Sequence, residues 1–314
     1  MDDVILTVTM NPAYDTTYRV DRLERGGAHR VSSVEQRIGG KGVTVTRVLN
    51  QLGRYAKATG FADHAFAAAA ELELPNDFVL ALPWVRRTLM IGESADGTAT
   101  EFAEPGARVS NPHAADQLSI RIRGLLPGIT GLVIAGTLPI GIEDTLPAEL
   151  AAAAIDAGIP TVCDLSGEPL RLAARVPGVV LCGHANDLLS ASGGDLDSLL
   201  PATEKLMAGG AAAVIAVRGP ADLVARTPDG CWWARLPDPP AGNPTGSGDA
   251  ATAAVIAALS HTPPPPWPAL LTDAVATSAA AVVVPAAGEI DRAVRERVLS
   301  HVVVSEAEPL PLHR

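Results

Sequence analysis

Short apolar runs alternate with longer stretches of helical periodicity along nearly the whole chain. Residues 4–10 read as a first buried strand, and residues 43–52 as a helix opened by the turn Gly39-Gly40-Lys41-Gly42. Further strands are predicted at 131–135, 161–164, 179–182 and 213–217, with helices at 114–125, 145–157 and 196–207. Apolar strands separated by helices of this length imply an α/β fold whose mostly parallel central sheet is flanked by helices. The strand ends at Asp164 and Val217 would then open onto a ligand crevice, as is general for open sheets of this kind.

Two stretches break the alternation. Residues 16–34 and 84–102 read as short strands with polar alternation, and Asp96-Gly97 is a hairpin signal between two of them. No helix separates the strands within either stretch. They predict a small β-sheet apart from the main core, a lid built from segments 13–36 and 84–106; ordinary edge strands are the alternative. The run His261-Thr-Pro-Pro-Pro-Pro-Trp-Pro268 predicts a surface loop. There is no internal repeat of solenoid period, so residues 1–314 read as a single α/β domain with that lid attached.

Composition narrows the function. With 47% hydrophobic and 19% charged residues the chain is a globular protein, and with 4% aromatics its helices should pack through alanine. A net charge of -11 argues against nucleic acid as a partner. It also means that an anionic substrate needs locally gathered Lys or Arg. The three cysteines lack metal or disulfide spacing, and the seven histidines form no ligand motif, so no protein-held metal centre is predicted. The acidic start, Met1-Asp2-Asp3, is unlike a signal peptide, and no apolar run approaches the roughly 20 residues of a membrane span. The expectation is a soluble cytoplasmic protein with no membrane partner.

Three motifs carry chemistry. In Asn243-Pro-Thr-Gly-Ser-Gly-Asp249, a glycine-rich turn precedes an almost wholly apolar helix. Gly246, Ser247 and Gly248 would present unpaired N–H groups to an anion at the positive end of the helix dipole. Asp249, in the first turn, could take the proton of a hydroxyl attacking a phosphoryl group; a plain helix cap is the alternative. Gly39-Gly40-Lys41-Gly42 again puts N–H groups and a cation at a helix start, with a surface turn as the alternative. Neither a P-loop nor a dinucleotide fingerprint is present. Asp15, in Thr9-Met-Asn-Pro-Ala-Tyr-Asp15, follows the first strand and is placed at a strand end, where a carboxylate could hold a pair of sugar hydroxyls.

Taken in order, T-M-N-P-A-Y-D, G-G-K-G, A-G-T-L-P-I-G and G-S-G-D resemble the PfkB (ribokinase-like) carbohydrate kinases. The nearest subgroup is that of the 1-phosphofructokinases and tagatose-6-phosphate kinases. Thr100-Glu-Phe-Ala-Glu-Pro-Gly106 and Asp164-Leu-Ser-Gly167 extend the likeness, which runs from about residue 4 to residue 290. The resemblance implies a ribokinase-like core with a β lid that often mediates homodimerisation. It implies ATP and Mg²⁺, Asp249 as catalytic base, and Gly246, Ser247 and Gly248 as the anion hole. Asp15, Gly39 and Gly40 match sugar-binding positions, while Lys41 and Arg86 match cations that hold the substrate's existing phosphate. Asn186, Arg218 and Gly219 fall on the nucleotide-phosphate segments, and Val275, Ser278 and Ala279 on the region flanking the adenine.

The chain also departs from the pattern. Thr44 stands where the subgroup has a sugar-binding amide, Leu189 replaces a glutamate that organises the Mg²⁺ water shell, and Val217 replaces a hydroxyl residue. Asp187 is a candidate substitute for the missing glutamate. Three readings follow: a kinase of a ketohexose phosphate at a primary hydroxyl, a kinase of an unphosphorylated sugar or nucleoside, and a weakly catalytic sensor of sugar phosphates or nucleotides.

Overall fold

The computed structural model describes residues 3–95, 97–193 and 199–307. The first part of the chain runs β1 (Val4–Thr9), β2 (Ala13–Val20), β3 (Ser33–Gly39), α1 (Lys41–Gln51), β4 (Tyr55–Ala62), α2 (His64–Glu71) and β5 (Asn76–Leu80). It continues through β6 (Arg86–Glu93), β7 (Ala99–Ala103), α3 (Ala114–Leu125), β8 (Ile129–Ala135), α4 (Leu146–Asp156), β9 (Thr161–Asp164) and α5 (Gly167–Ala173). Next come β10 (Val180–His184), α6 (Ala185–Ser192), α7 (Leu199–Gly209), β11 (Ala213–Gly219), β12 (Asp222–Thr227) and β13 (Gly230–Arg235). The last elements are α8 (Ser247–Leu259), α9 (Trp267–Val282), α10 (Arg292–Leu299) and β14 (Val303–Glu306). The predicted start of α7, at Leu196, lies outside the described residues.

Ten strands form the main sheet in the order β14-β13-β12-β11-β10-β9-β8-β1-β4-β5. From β5 to β11 every pairing is parallel, while β12, β13 and β14 add an antiparallel edge. Two cores sit on its two faces because strand side chains alternate. Leu6 and Val8 of β1, with Val214 and Ala216 of β11, enter one core. Ile5, Ile215 and Val217 enter the other, against α8 and α9. Both of these helices are apolar nearly all round, so both are buried. Their alanines let them lie closely side by side.

The lid is a separate four-stranded sheet, β3-β2-β6-β7, from the two stretches that broke the alternation. Its central pair, β2 and β6, is parallel, and the outer pairs are antiparallel. The hairpin signal falls partly on Asp96, outside the described residues; Gly97 beside it has φ +75°.

Two boundaries differ from the sequence expectation. Asp15 is not at a strand end but inside β2, because Asn11-Pro12 ends the core strand and the chain re-enters extended structure at once. Trp267 and Pro268 belong to α9 instead of the preceding loop. Proline is tolerated in a helix's first turn, where the missing N–H would have no partner.

Candidate active site

A cleft of about 610 Å³ separates the inner face of the lid from the carboxyl ends of the core strands. Its floor is the head of α8. Gly246 is the N-cap residue with φ +81°, and a Cβ there would come within 2.9 Å of the Ala287 Cβ. Glycine is therefore required both by the conformation and by the close approach of the 286–288 loop. The capping position belongs to Gly246, with no side chain bonded to the first turn. Asp249 thus caps nothing, and its carboxylate lines the cleft. The backbone N–H groups of Gly248 and Asp249 have no acceptor among the described residues, the arrangement that makes a helix start an anion site.

The head of α1 stands next to it. Gly40, at φ +100°, is pinned against Thr9, and Lys41 opens the helix. The Lys41 ammonium lies 2.6 Å from Asp164 Oδ1, and the Thr252 hydroxyl donates to Asp164 Oδ2 at 3.4 Å. Asp164 ends β9 and is 2% exposed. A side chain at Gly183 would crowd its Oδ1. Lys41 is consequently held at the cleft floor by a buried carboxylate, near Asp249 and Asp187. Its charge is raised firmly into the cationic form by Asp164 and Asp249, against the cost of burial. The cation expected to meet the substrate's phosphate is thus already paired with Asp164 at the cleft floor.

Asp249 is pushed well above the usual carboxylate range. Burial is the main cause; the charges of Asp164 and Asp15 add to it, while Lys41 opposes it. Asp15 rises to about 6, mainly through burial, with Arg86 and Arg47 opposing. Gly39 makes room for it: a Cβ there would fall 1.9 Å from Asp15 Oδ2. Gly39 therefore acts beneath Asp15 and not as part of the cleft wall. Asp15 faces Arg37 and Thr88 across the sheet, so these side chains share the lid's inner face.

Arg37, Lys41 and Arg86 all line the cleft. Arg37 is paired with Glu35 and Glu289, and Lys41 with Asp164. Arg86 has no carboxylate partner among the described residues; it meets only the Glu104 carbonyl at 3.4 Å, and its buried Nε has no acceptor.

Several expected nucleotide contacts are placed elsewhere. Gly219 lines the cleft, but Arg218 turns outward to stack on Trp233, 4.8 Å from the ring centroid, with Asp222 at 3.6 Å. Strand alternation explains this, since Val217 faces inward and its neighbour must face out. Val275, Ser278 and Ala279 are fully buried in α9 and do not reach the cleft wall. Their helix is apolar all round, and these positions face the core. Asn186 is exposed in the first turn of α6, and Leu189 is 4% exposed, away from the cleft. Asp187 is raised by burial and by Asp164, with Lys41 opposing, so it stands near that pair. Motif reading missed Thr252, Arg37 and the pairing of Lys41 with Asp164. The position of Asp164 at a strand end was the one available signal.

The family of pfkB carbohydrate kinases matches residues 8–292. A 1-phosphofructokinase of Xanthomonas campestris pv. campestris is 32% identical over 270 residues, 81% of this chain and 83% of that protein. The crystal structure of phosphofructokinase-2 from Escherichia coli in complex with potassium superposes with a TM-score of 0.86 at 24% identity, covering 96% of this chain and 99% of the other. A ribokinase of Arabidopsis thaliana complexed with ribose and ATP gives 0.70 at 18% identity, over 95% and 99%. The two structures establish a ribokinase-like fold.

Proposed function

We propose that this chain, which belongs to the pfkB family of carbohydrate kinases, phosphorylates a ketohexose phosphate such as fructose 1-phosphate, or fructose or tagatose 6-phosphate, at a primary hydroxyl. The observation that carries the substrate class is Arg86, the cleft arginine left without a carboxylate partner among the described residues. A guanidinium in that state suits a phosphate, which it can hold through two parallel hydrogen bonds. Asp15, in the same face of the lid, is available to sugar hydroxyls.

Asp249 accepts the proton of the attacking hydroxyl as that oxygen bonds to the terminal phosphorus of ATP and ADP leaves. The N–H groups at the head of α8 face the charge on the phosphoryl oxygens, and Lys41 stands beside them. Among the described residues no three His, Cys, Asp or Glu side chains gather closely enough to enclose a metal. That donor pattern suits Mg²⁺ carried on the nucleotide phosphates with its own waters, for which the half-buried Asp187 is the candidate partner. Bound there, the ion supplies positive charge to the phosphates. No described helix is long and apolar enough to cross a membrane. The three cysteines are free thiols, consistent with a reducing cytoplasm. The lid, which exposes Val34 and Phe102, is a candidate face for a homodimer.

An ATP-to-ADP assay with fructose 1-phosphate, fructose 6-phosphate, tagatose 6-phosphate and free fructose tests the reading. Turnover of free fructose in preference to every phosphate would overturn the substrate class. Absence of any turnover with intact nucleotide binding would make the protein a sensor.

A further inference from the structure

Ala286 and Ala287 line the cleft, and Ala287 lies directly against the turn that opens α8. A Cβ at Gly246 would fall 2.9 Å from the Ala287 Cβ and 3.1 Å from its Cα. The same turn is tied to this segment further upstream. The Asn243 N–H donates to the Val282 carbonyl at 2.8 Å, and Asn243 Nδ2 donates to the Pro285 carbonyl at 3.3 Å. Where residues 282–287 sit therefore sets where Gly246 sits, and with it the direction of the Gly248 and Asp249 N–H groups.

One side chain holds this segment from behind. Gln51, the last residue of α1, donates from Nε2 to the Gly288 carbonyl at 2.7 Å and accepts from the Ile290 N–H on Oε1 at 3.0 Å. One partner is a carbonyl and the other an N–H, which fixes the way the amide faces. Nε2 also reaches the Arg47 carbonyl at 3.2 Å, within its own helix. Arg47 lies on the same face of α1, one turn earlier. Its guanidinium donates to the Ile38 carbonyl at 2.8 Å, and its Cδ lies 3.1 Å from where a Cβ at Gly288 would be. The loop is thus seated on two side chains of α1. Gln51 does not line the cleft, so it reaches the chemistry only through the loop.

We propose that Gln51 is a positioning residue for the anion hole: by clamping Gly288 and Ile290 it holds Ala287 against Gly246 and keeps the Gly248 and Asp249 N–H groups aimed at the transferring phosphoryl group. This rests on the reading of the α8 head as the anion hole. Donors stabilise charge in the transition state best when they need not move to meet it. Loosening the loop should therefore cost rate more than substrate binding. Glu289 stands between the two clamped residues and pairs with Arg37 of the lid at 2.8 Å. An effect routed through that pair would show in the substrate KM instead.

The test compares Gln51→Leu, which removes both hydrogen bonds at similar size, with Gln51→Glu, which keeps the acceptor for Ile290 and loses the donor for Gly288. One readout needs no substrate: amide hydrogen exchange over residues 243–250, followed by mass spectrometry. Gln51→Leu is expected to speed exchange there about ten-fold, with β8 unchanged, and to lower kcat about ten-fold, the worth of two neutral hydrogen bonds. KM for the sugar phosphate should stay within about two-fold. Gln51→Glu should fall between the wild type and Gln51→Leu in both exchange and kcat. Ala287→Gly removes the methyl that rests on Gly246 and should lower kcat similarly; adding Gln51→Leu to it should lower kcat by less than about two-fold more. A folded Gln51→Leu with wild-type exchange over 243–250 overturns the proposal. So does a rise in sugar-phosphate KM with kcat unchanged, or a double variant in which the two losses simply add. If Gln51→Leu does not fold, Gln51→Glu and Ala287→Gly carry the same comparison. Failure of the wild type to phosphorylate any sugar would remove the kinase reading, and exchange over 243–250 would still decide what Gln51 holds.

Discussion

Lys41 and Asp164, 123 positions apart in the chain, meet as an ion pair of 2.6 Å at the cleft floor. The carboxylate is almost wholly enclosed and the ammonium partly open, with side-chain exposures of 3% and 36%. The pair therefore holds the ammonium at one fixed place where α1 and α8 meet, its charge balanced by Asp164. Removing the lysine alone would leave a buried carboxylate unpaired, which typically costs about 3 to 5 kcal/mol. Lys41→Met is expected to lower Tm and kcat together. Adding Asp164→Asn should recover most of the Tm and none of the kcat, as thermal denaturation and steady-state rates on the double variant will show.

Asp249→Asn should abolish turnover, by roughly 10² to 10⁴-fold, with ATP affinity nearly intact by calorimetry. Retention of more than about a tenth of wild-type kcat would show that another group accepts the proton.

The pH dependence has a definite sign. Asp15 is raised to about 6 and Asp249 is also raised, so the folded protein holds protons that the unfolded chain releases near pH 4. The stability from these groups is full below the unfolded value and is lost as pH rises through the folded ones. Asp15→Asn should thus raise the Tm of the ligand-free protein by about 2 °C or more at pH 8, and change it little at pH 4. A gain that is equal at both pH values would mean that the Asp15 pKa is the same in the folded and unfolded chain. In the same window kcat should climb with pH as Asp249 ionises.

Arg86→Met is expected to raise KM for sugar phosphates about ten-fold or more, while KM for free fructose changes little. Initial rates on fructose 1-phosphate and fructose decide it. Equal losses on both would place Arg86 in the lid's structure and not on a phosphate.

Leu189 is enclosed, so a carboxylate there would be buried without a partner. Leu189→Glu is expected to cost about 2 kcal/mol or more and to give no activity at low Mg²⁺. Asp187→Asn should instead raise the Mg²⁺ needed for half-maximal rate, by about ten-fold. A Mg²⁺ titration unchanged in Asp187→Asn would remove that residue from the metal's surroundings.

Phe102 is 54% exposed on β7 and Val34 is 58% exposed on β3, both large apolar groups on the lid. If the lid forms the dimer face, light scattering should give a two-chain mass that Phe102→Asp reduces to one. A wild type that is monomeric at micromolar concentration would dismiss the lid dimer.

Much of this protein was decided locally. Apolar runs at β1, β8, β9 and β11 read as strands covered on both faces, and the Gly246 turn before Asp249 as the opening of a helix. The lid was legible because its polar alternation cannot sit inside a parallel sheet. The partnerships of charged groups were not legible, since they join elements far apart in the chain: Lys41 with Asp164, Arg37 with Glu289, Arg218 with Trp233. A motif fixes where a side chain starts, while its direction depends on strand alternation and on which helix packs opposite. For the same reason Val275, Ser278 and Ala279 lie in the core. Periodicity specified which segments are buried; only packing specified which charges are neutralised, and that left Arg86 unpaired by any described carboxylate and Asp249 raised above its ordinary range.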